Sequence, residues 1–169
     1  MQSLIKSGLG SENLAKEATN ARELAMSESG KVELKLASVE IKSLLKKAVF
    51  VYEPKIREKG LDFRVDIPRG EVYVNVDSAR IVQSLNTLIE AAIALSQKGR
   101  IEIAASDLPD EVRCVITYNG PAMTDEDFAK TMELAIAKSV VENHKGRLKY
   151  EKDAAGLSRI ILILPKQKK

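Results

Sequence analysis

The stretch DSARIVQSLNTLIEAAIALSQKGRIEI, Asp77 to Ile103, sets the reading of the whole chain. Ile81, Leu85, Leu88, Ile89, Ala92 and Ile93 recur at helical spacing after Asp77, a residue type that accepts from the free amides at a helix start. Gly99 closes the helix, and RIEIAA (100–105) alternates apolar and polar residues as a half-buried strand does. A long helix with one apolar face that runs into such a strand is a piece of layered α/β architecture.

Towards the N-terminus, LDFRVDI (61–67) and VYVNV (72–76) read as two strands joined through Pro68 and Gly70. Before them a helix with Ile41, Leu44, Leu45, Ala48, Val49 and Tyr52 on its face is expected to start at Ser38 and run to Lys59. Gly60 stops it, and Pro54 predicts a kink near Glu53 because proline lacks the donor that the helix needs. VELKLASV, from Val32, alternates as a strand, and Ser11 to Glu28 carry a thin alanine-rich helical stripe. Towards the C-terminus, EVRCVIT (111–117) pairs with 100–105 in a hairpin around Leu108, Pro109 and Asp110. Thr124 and Asp127 form a capping box that opens a helix reaching about Asn143. GRLKYE and SRIILILP supply two last strands. The order α-β-α-ββ-α-ββ-α-ββ predicts an α/β two-layer sandwich, one mixed sheet with helices on a single face, preceded by an N-terminal helix. The divisions are 1–30 for that helix, 31–166 for the domain and 167–169 for a basic tail.

Composition excludes several functions. The chain has 169 residues, 44% hydrophobic and 30% charged, which fits one globular domain. Its 27 Lys and Arg against 24 Asp and Glu leave +3, and Lys166, Lys168 and Lys169 account for that surplus, so no nucleic-acid groove is predicted. A single cysteine, Cys114, and a single histidine, His144, rule out a disulfide framework, a Cys-based zinc site and a paired-histidine metal site within one chain. No apolar run is long enough to span a bilayer, and the start lacks the apolar core of a signal peptide, so a cytoplasmic location is expected.

Read as one string, four blocks resemble the ATP-binding domain of sensor histidine kinases. ESGKVELKLASVEIKSLLKKAV with YEPKIREKGLDFRVDIP resembles its junction with the dimerisation helix, and VNVDSARIVQSLNTLIEAAIALSQKGRIEI its asparagine-box helix. EVRCVITYNGPAM resembles its first glycine box, and LAIAKSVVENHKGRLKYE its last helix and following strand. The resemblance covers about residues 20–165 and implies the GHKL (Bergerat) fold, in which ATP lies between two helices under a flexible lid.

The resemblance carries over unevenly to individual sites. The magnesium-coordinating asparagine falls on Ala91, the following lysine on Ala94, and an earlier asparagine on Thr87, with Asn86 one residue before it. The adenine-binding aspartate falls on Tyr118 and the second glycine of that box on Ala122, while Gly120 is kept. The family's lid contains a GxGxG-type loop, but here no glycine lies between Gly120 and Gly146, and a phosphate cradle needs glycines for close backbone approach. The family's phosphoacceptor histidine has no counterpart in residues 1–28, and His144 reads as a capping or packing residue. Cys114 alternates with Val112 and Ile116 and reads as a core thiol, Glu90 as a rim carboxylate, and Lys46, Lys47, Lys55, Arg57 and Lys59 as a solvated basic face.

The expected function is therefore a degenerate histidine-kinase-like module, not an enzyme, with neither ATP nor magnesium as cofactor. It would act on a signalling protein such as a response regulator or a kinase, as a homodimer through Ser11–Glu28. It also resembles the histidine phosphotransferases whose ATP-binding-like domain has shed these boxes, although those keep a phosphoacceptor. The alternative is a divergent ATP-binding histidine kinase domain that uses Asn86, Glu90, Asn119 and Gly120 with magnesium, and a third reading is a structural fragment of a longer kinase.

Overall fold

The structure, a computed structural model, describes residues 33–166. The expected N-terminal helix, Ser11–Glu28, and the tail 167–169 lie outside the described residues. The elements in chain order are β1 (Ala37–Glu40), α1 (Ile41–Val49), a 3-10 turn (Phe50–Tyr52), α2 (Glu53–Glu58), β2 (Asp62–Asp66), β3 (Tyr73–Val76) and α3 (Ser78–Leu95). They continue with β4 (Arg100–Asp107), β5 (Glu111–Tyr118), α4 (Asp125–Lys130), α5 (Met132–Asn143), β6 (Arg147–Lys152) and β7 (Ser158–Pro165).

A five-stranded sheet has the order β2-β4-β5-β7-β6, parallel between β2 and β4 and antiparallel elsewhere. The expected hairpin is β4–β5, closed where Leu108 N donates to Glu111 O at 2.9 Å. Alternate residues of these strands, among them Ile101, Ile103, Val112, Cys114, Ile116, Ile160, Leu162 and Leu164, are buried in one core with the apolar faces of α1, α3 and α5. Ile81, Leu85, Leu88 and Ile89 of α3 are at most 1% exposed, and burying such side chains contributes about 1.5–3 kcal/mol each. α3 touches α1, α5 and β5, so it is the middle helix of its layer. Asp77 caps it as expected, accepting from Arg80 N.

Several expectations need correction. Not every strand joins the one mixed sheet: β2 does, whereas β3 pairs antiparallel with β1 in a separate two-stranded sheet. The parallel pairing of β2 with β4 demands a crossover, and α3 supplies it by returning the chain from β3 to the first residue of β4, Arg100, which pairs with Asp62, the first residue of β2. The first strand is shorter than 32–39, because Lys35 gives its amide to the Asp77 carboxylate and not to a ladder. Ser38 lies within β1 opposite Asn75 and is no cap. α1 starts at Ile41, whose amide donates to Val72 O, a backbone substitute for a capping side chain.

The predicted kink falls one turn before Glu53, as the 3-10 turn, and Pro54 sits in the first turn of α2, where its missing N–H costs nothing. Gly60, at φ +83°, ends α2 in the left-handed region that suits glycine. The helix expected over 125–143 is two helices. The capping box at Thr124 and Asp127 is present, but Thr131 breaks the run and recaps it by accepting from Leu134 N.

Candidate functional site

A cleft of about 380 Å³ opens between α3 and the start of α5, lined by Gln83, Asn86, Thr87, Glu90 and Ala91 of α3 and by Thr131, Glu133 and Leu134, with Tyr52 at its side. The helical period brings the α3 residues to one face, because positions three and four apart lie above each other. The Tyr52 hydroxyl donates to Glu90 Oε2 at 2.9 Å. Burial, then the hydrogen bond to Glu90 and the nearby negative charge of that carboxylate, push the Tyr52 phenol well above its ordinary value, so it stays a donor. Asn86 Oδ1 is buried and has no hydrogen-bond partner.

The structure brings together only part of the candidate set. Asn86 and Glu90 share the cleft, with Glu90 exposed at its rim as expected. Asn119 lies instead in a separate pocket lined by Arg64, Arg100 and Thr117, and its carbonyl accepts from Gln97 N at 2.8 Å. Gly120 is buried, and a Cβ there would collide with the backbone carbonyl of Leu95, the last residue of α3. The glycine is therefore accounted for by close packing of two backbones.

Tyr118, at the position that resembles the adenine-binding aspartate, is fully buried in the core and donates to Pro121 O at 2.7 Å. Ser158 Oγ donates to Gly120 O at 2.5 Å, so side chains from β5 and β7 hold the 119–121 turn. In the stretch after Gly120, where the sequence offers no glycine, residues fold as capped α4, and Phe128 stacks on Tyr150 with ring centroids 4.7 Å apart.

His144 and Cys114 sit as the sequence implied. His144 is 6% exposed at the end of α5, with Nδ1 2.8 Å from Val140 O and Nε2 3.0 Å from Asp77 N. Cys114 is buried in β5, and burial raises its thiol to about 12. Of the basic group, Lys46, Lys47 and Lys55 are exposed and Arg57 pairs with Glu53 at 2.9 Å. Lys59 differs: its ammonium donates to Ile93 O at the C-terminal end of α3, where a cation meets the negative end of the helix. Sequence reasoning missed Tyr52, Thr131 and Glu133 as cleft residues. The break at Thr131, which turns Glu133 into the first turn of a new helix, leaves no mark in the hydrophobic pattern.

A mixed sheet covered by helices, with a cleft between its central helix and the last one, defines a class of α/β sandwich that presents a site between two helices. Residues 76–168 match the family described as histidine kinase-, DNA gyrase B-, and HSP90-like ATPase, and the chain belongs to that family. It is 24% identical over 155 residues to the signal transduction histidine-protein kinase BaeS of Escherichia coli (strain K12), an alignment covering 80% of this chain. The chain spans 33% of that protein's length. Among solved structures, the Acinetobacter baumannii histidine kinase AdeS superposes with a TM-score of 0.79 at 20% identity, over 98% of this chain and 88% of that one. Histidine kinase ThkA, in its complex with the response regulator protein TrrA, superposes with a TM-score of 0.72 at 24% identity, over 93% of this chain and 49% of that one. These structural likenesses show the fold. Among the described residues no helix is long and apolar enough to cross a membrane.

Proposed function

We propose that this chain is a histidine-kinase-like module of a two-component-type pathway that binds neither ATP nor magnesium and works by holding a signalling protein. The charge of the cleft carries this reading. Its lining contains Glu90 and Glu133 and no lysine, arginine or glycine, so a triphosphate would meet two carboxylates with no cation or close-packed amide to offset them. The N-terminus of α5 reaches the cleft, but Thr131 already accepts from the Leu134 amide and Glu133 places a negative charge in the first turn. This lining supports the reading that the cleft does not hold a triphosphate. The position that resembles the metal-coordinating asparagine is Ala91, a methyl group with no lone pair to offer.

The partner in this proposal is a response regulator. ThkA is similar in fold and was captured with one, over a superposition that includes 93% of this chain. The cytoplasm and a homodimer through Ser11–Glu28 belong to the same proposal and rest on the sequence pattern. The test is a titration with a fluorescent ATP analogue with and without magnesium. No saturable signal is expected into the millimolar range, and micromolar, magnesium-dependent binding overturns the reading. Ala91→Asn alone should also fail to bind, because the two carboxylates and the missing glycine loop remain.

A second reading, a divergent ATP-binding kinase domain, has one observation in its favour. Asn86 Oδ1 is buried without a partner beside Glu90, as a group awaiting a ligand would be. The same titration decides it, since Asn86→Ala should then abolish the magnesium-dependent signal.

A further inference from the structure

Asp77 and His144 together tie three parts of the chain to one point. The Asp77 carboxylate accepts from the Lys35 amide at 3.1 Å through Oδ2 and from the Arg80 amide at 3.3 Å through Oδ1. It thereby holds the segment that enters the domain and caps α3 with the same group. The Asp77 amide donates in turn to His144 Nε2 at 3.0 Å, at the C-terminal end of α5. Both residues are buried, at 7% and 6% exposure.

The tautomer follows from the partners. Val140 O, 2.8 Å from Nδ1, can only accept, and the Asp77 N–H can only donate, so Nδ1 carries the proton and Nε2 is bare. A second proton, on Nε2, would set one N–H against another at a distance that now holds a hydrogen bond. Either the imidazole or the Asp77 backbone must then move, and the carboxylate that grips Lys35 moves with that backbone.

We infer that Asp77 and His144 form a latch that clamps the incoming segment 33–36 to the junction of α3 and α5 and opens when the imidazole gains a proton. Burial and the groups facing the ring set its threshold. Burial disfavours the imidazolium most, the Val140 carbonyl and then Asp77 favour it, and Arg80 opposes it, with the net effect of lowering the imidazole below its ordinary value. Lys145, next in the chain, and Lys166, beyond β7, line a pocket of about 350 Å³ with the ring and add no anion to it, and the entering segment contributes Leu34 and Leu36. The latch is closed at neutral pH and opens as the pH falls through the imidazole's lowered value. It does not depend on what the α3–α5 cleft binds.

The experiment is a ¹H–¹⁵N NMR titration of the full chain from pH 7.5 downward, with the His144 ring protons followed in parallel. The Lys35 and Asp77 amide resonances are expected to shift together, with the midpoint of the imidazole and below about 6.5, the ordinary histidine value. In His144→Gln, whose side-chain carbonyl can accept from Asp77 without titrating, both resonances should stay still over that range. The latch is overturned if Lys35 is unmoved while His144 titrates, or if it moves equally in His144→Gln. It is likewise overturned if the Lys35 shift has a midpoint separate from that of the imidazole, or if the chain unfolds before the imidazole takes its proton. Should His144→Gln fail to fold, the shared or separate midpoints in the wild-type chain decide the matter alone.

Discussion

At Gly120 the backbone of the β5 turn comes so close to the Leu95 carbonyl that a methyl group has no room, and a backbone carbonyl cannot swing aside as a side chain can. Gly120→Ala should therefore destabilise by about 3 kcal/mol, the upper end of what overpacking costs, and a urea midpoint measured beside the wild type checks it. An unchanged midpoint would return Gly120 to the list of ligand-binding residues. Cys114 offers a second test at this scale. With its thiol raised to about 12 by burial alone, the thiolate that reacts is scarce and enclosed. The native protein should leave a thiol reagent such as DTNB unconsumed at pH 8, and one equivalent should react once the chain is unfolded. Prompt labelling of the folded protein would mean that β5 opens to solvent.

Among the elements, those with local signals were legible. α3 announced itself by its apolar face and Asp77, the β4–β5 hairpin by alternation on both sides of Pro109, and α4 by its capping box. What stayed hidden were junctions decided by tertiary contacts. The separation of β2 from β3 depends on which distant strand each meets, β4 in one case and β1 in the other, and neither sequence names its partner. The break between α4 and α5 is marked by Thr131, a residue type that favours caps but also occurs inside helices, so the accepted bond from Leu134 N at 3.2 Å is what reveals a cap. Thr131→Ala should cost about 1 kcal/mol, the usual worth of an N-cap hydroxyl, while Thr131→Asp should restore most of it. Thermal denaturation of the pair checks this, and an alanine variant as stable as the wild type would show that α4 and α5 can fuse into one helix without loss.

For the molecule as a whole, the candidate site was half legible. Substitutions at single positions, such as Ala91 and Tyr118, could be read off the chain, but the acid character of the cleft could not. It arises because Glu90 of α3 and Glu133 of α5, far apart in sequence, line one cavity when the two helices pack. Among the described residues, the buried members of the core run from Ile41 to Leu164. A chain without residues 1–28 keeps every one of those side chains, together with Lys35 and its bond to Asp77. It should unfold in one cooperative transition with a denaturant midpoint that does not vary with protein concentration. If Ser11–Glu28 is the dimerisation element, the full chain should instead scatter light as a dimer and gain apparent stability as its concentration rises, because association stabilises the folded state by mass action. A full chain that is monomeric at every concentration would remove the dimer, and a truncated chain that fails to fold would show that the first residues complete the domain.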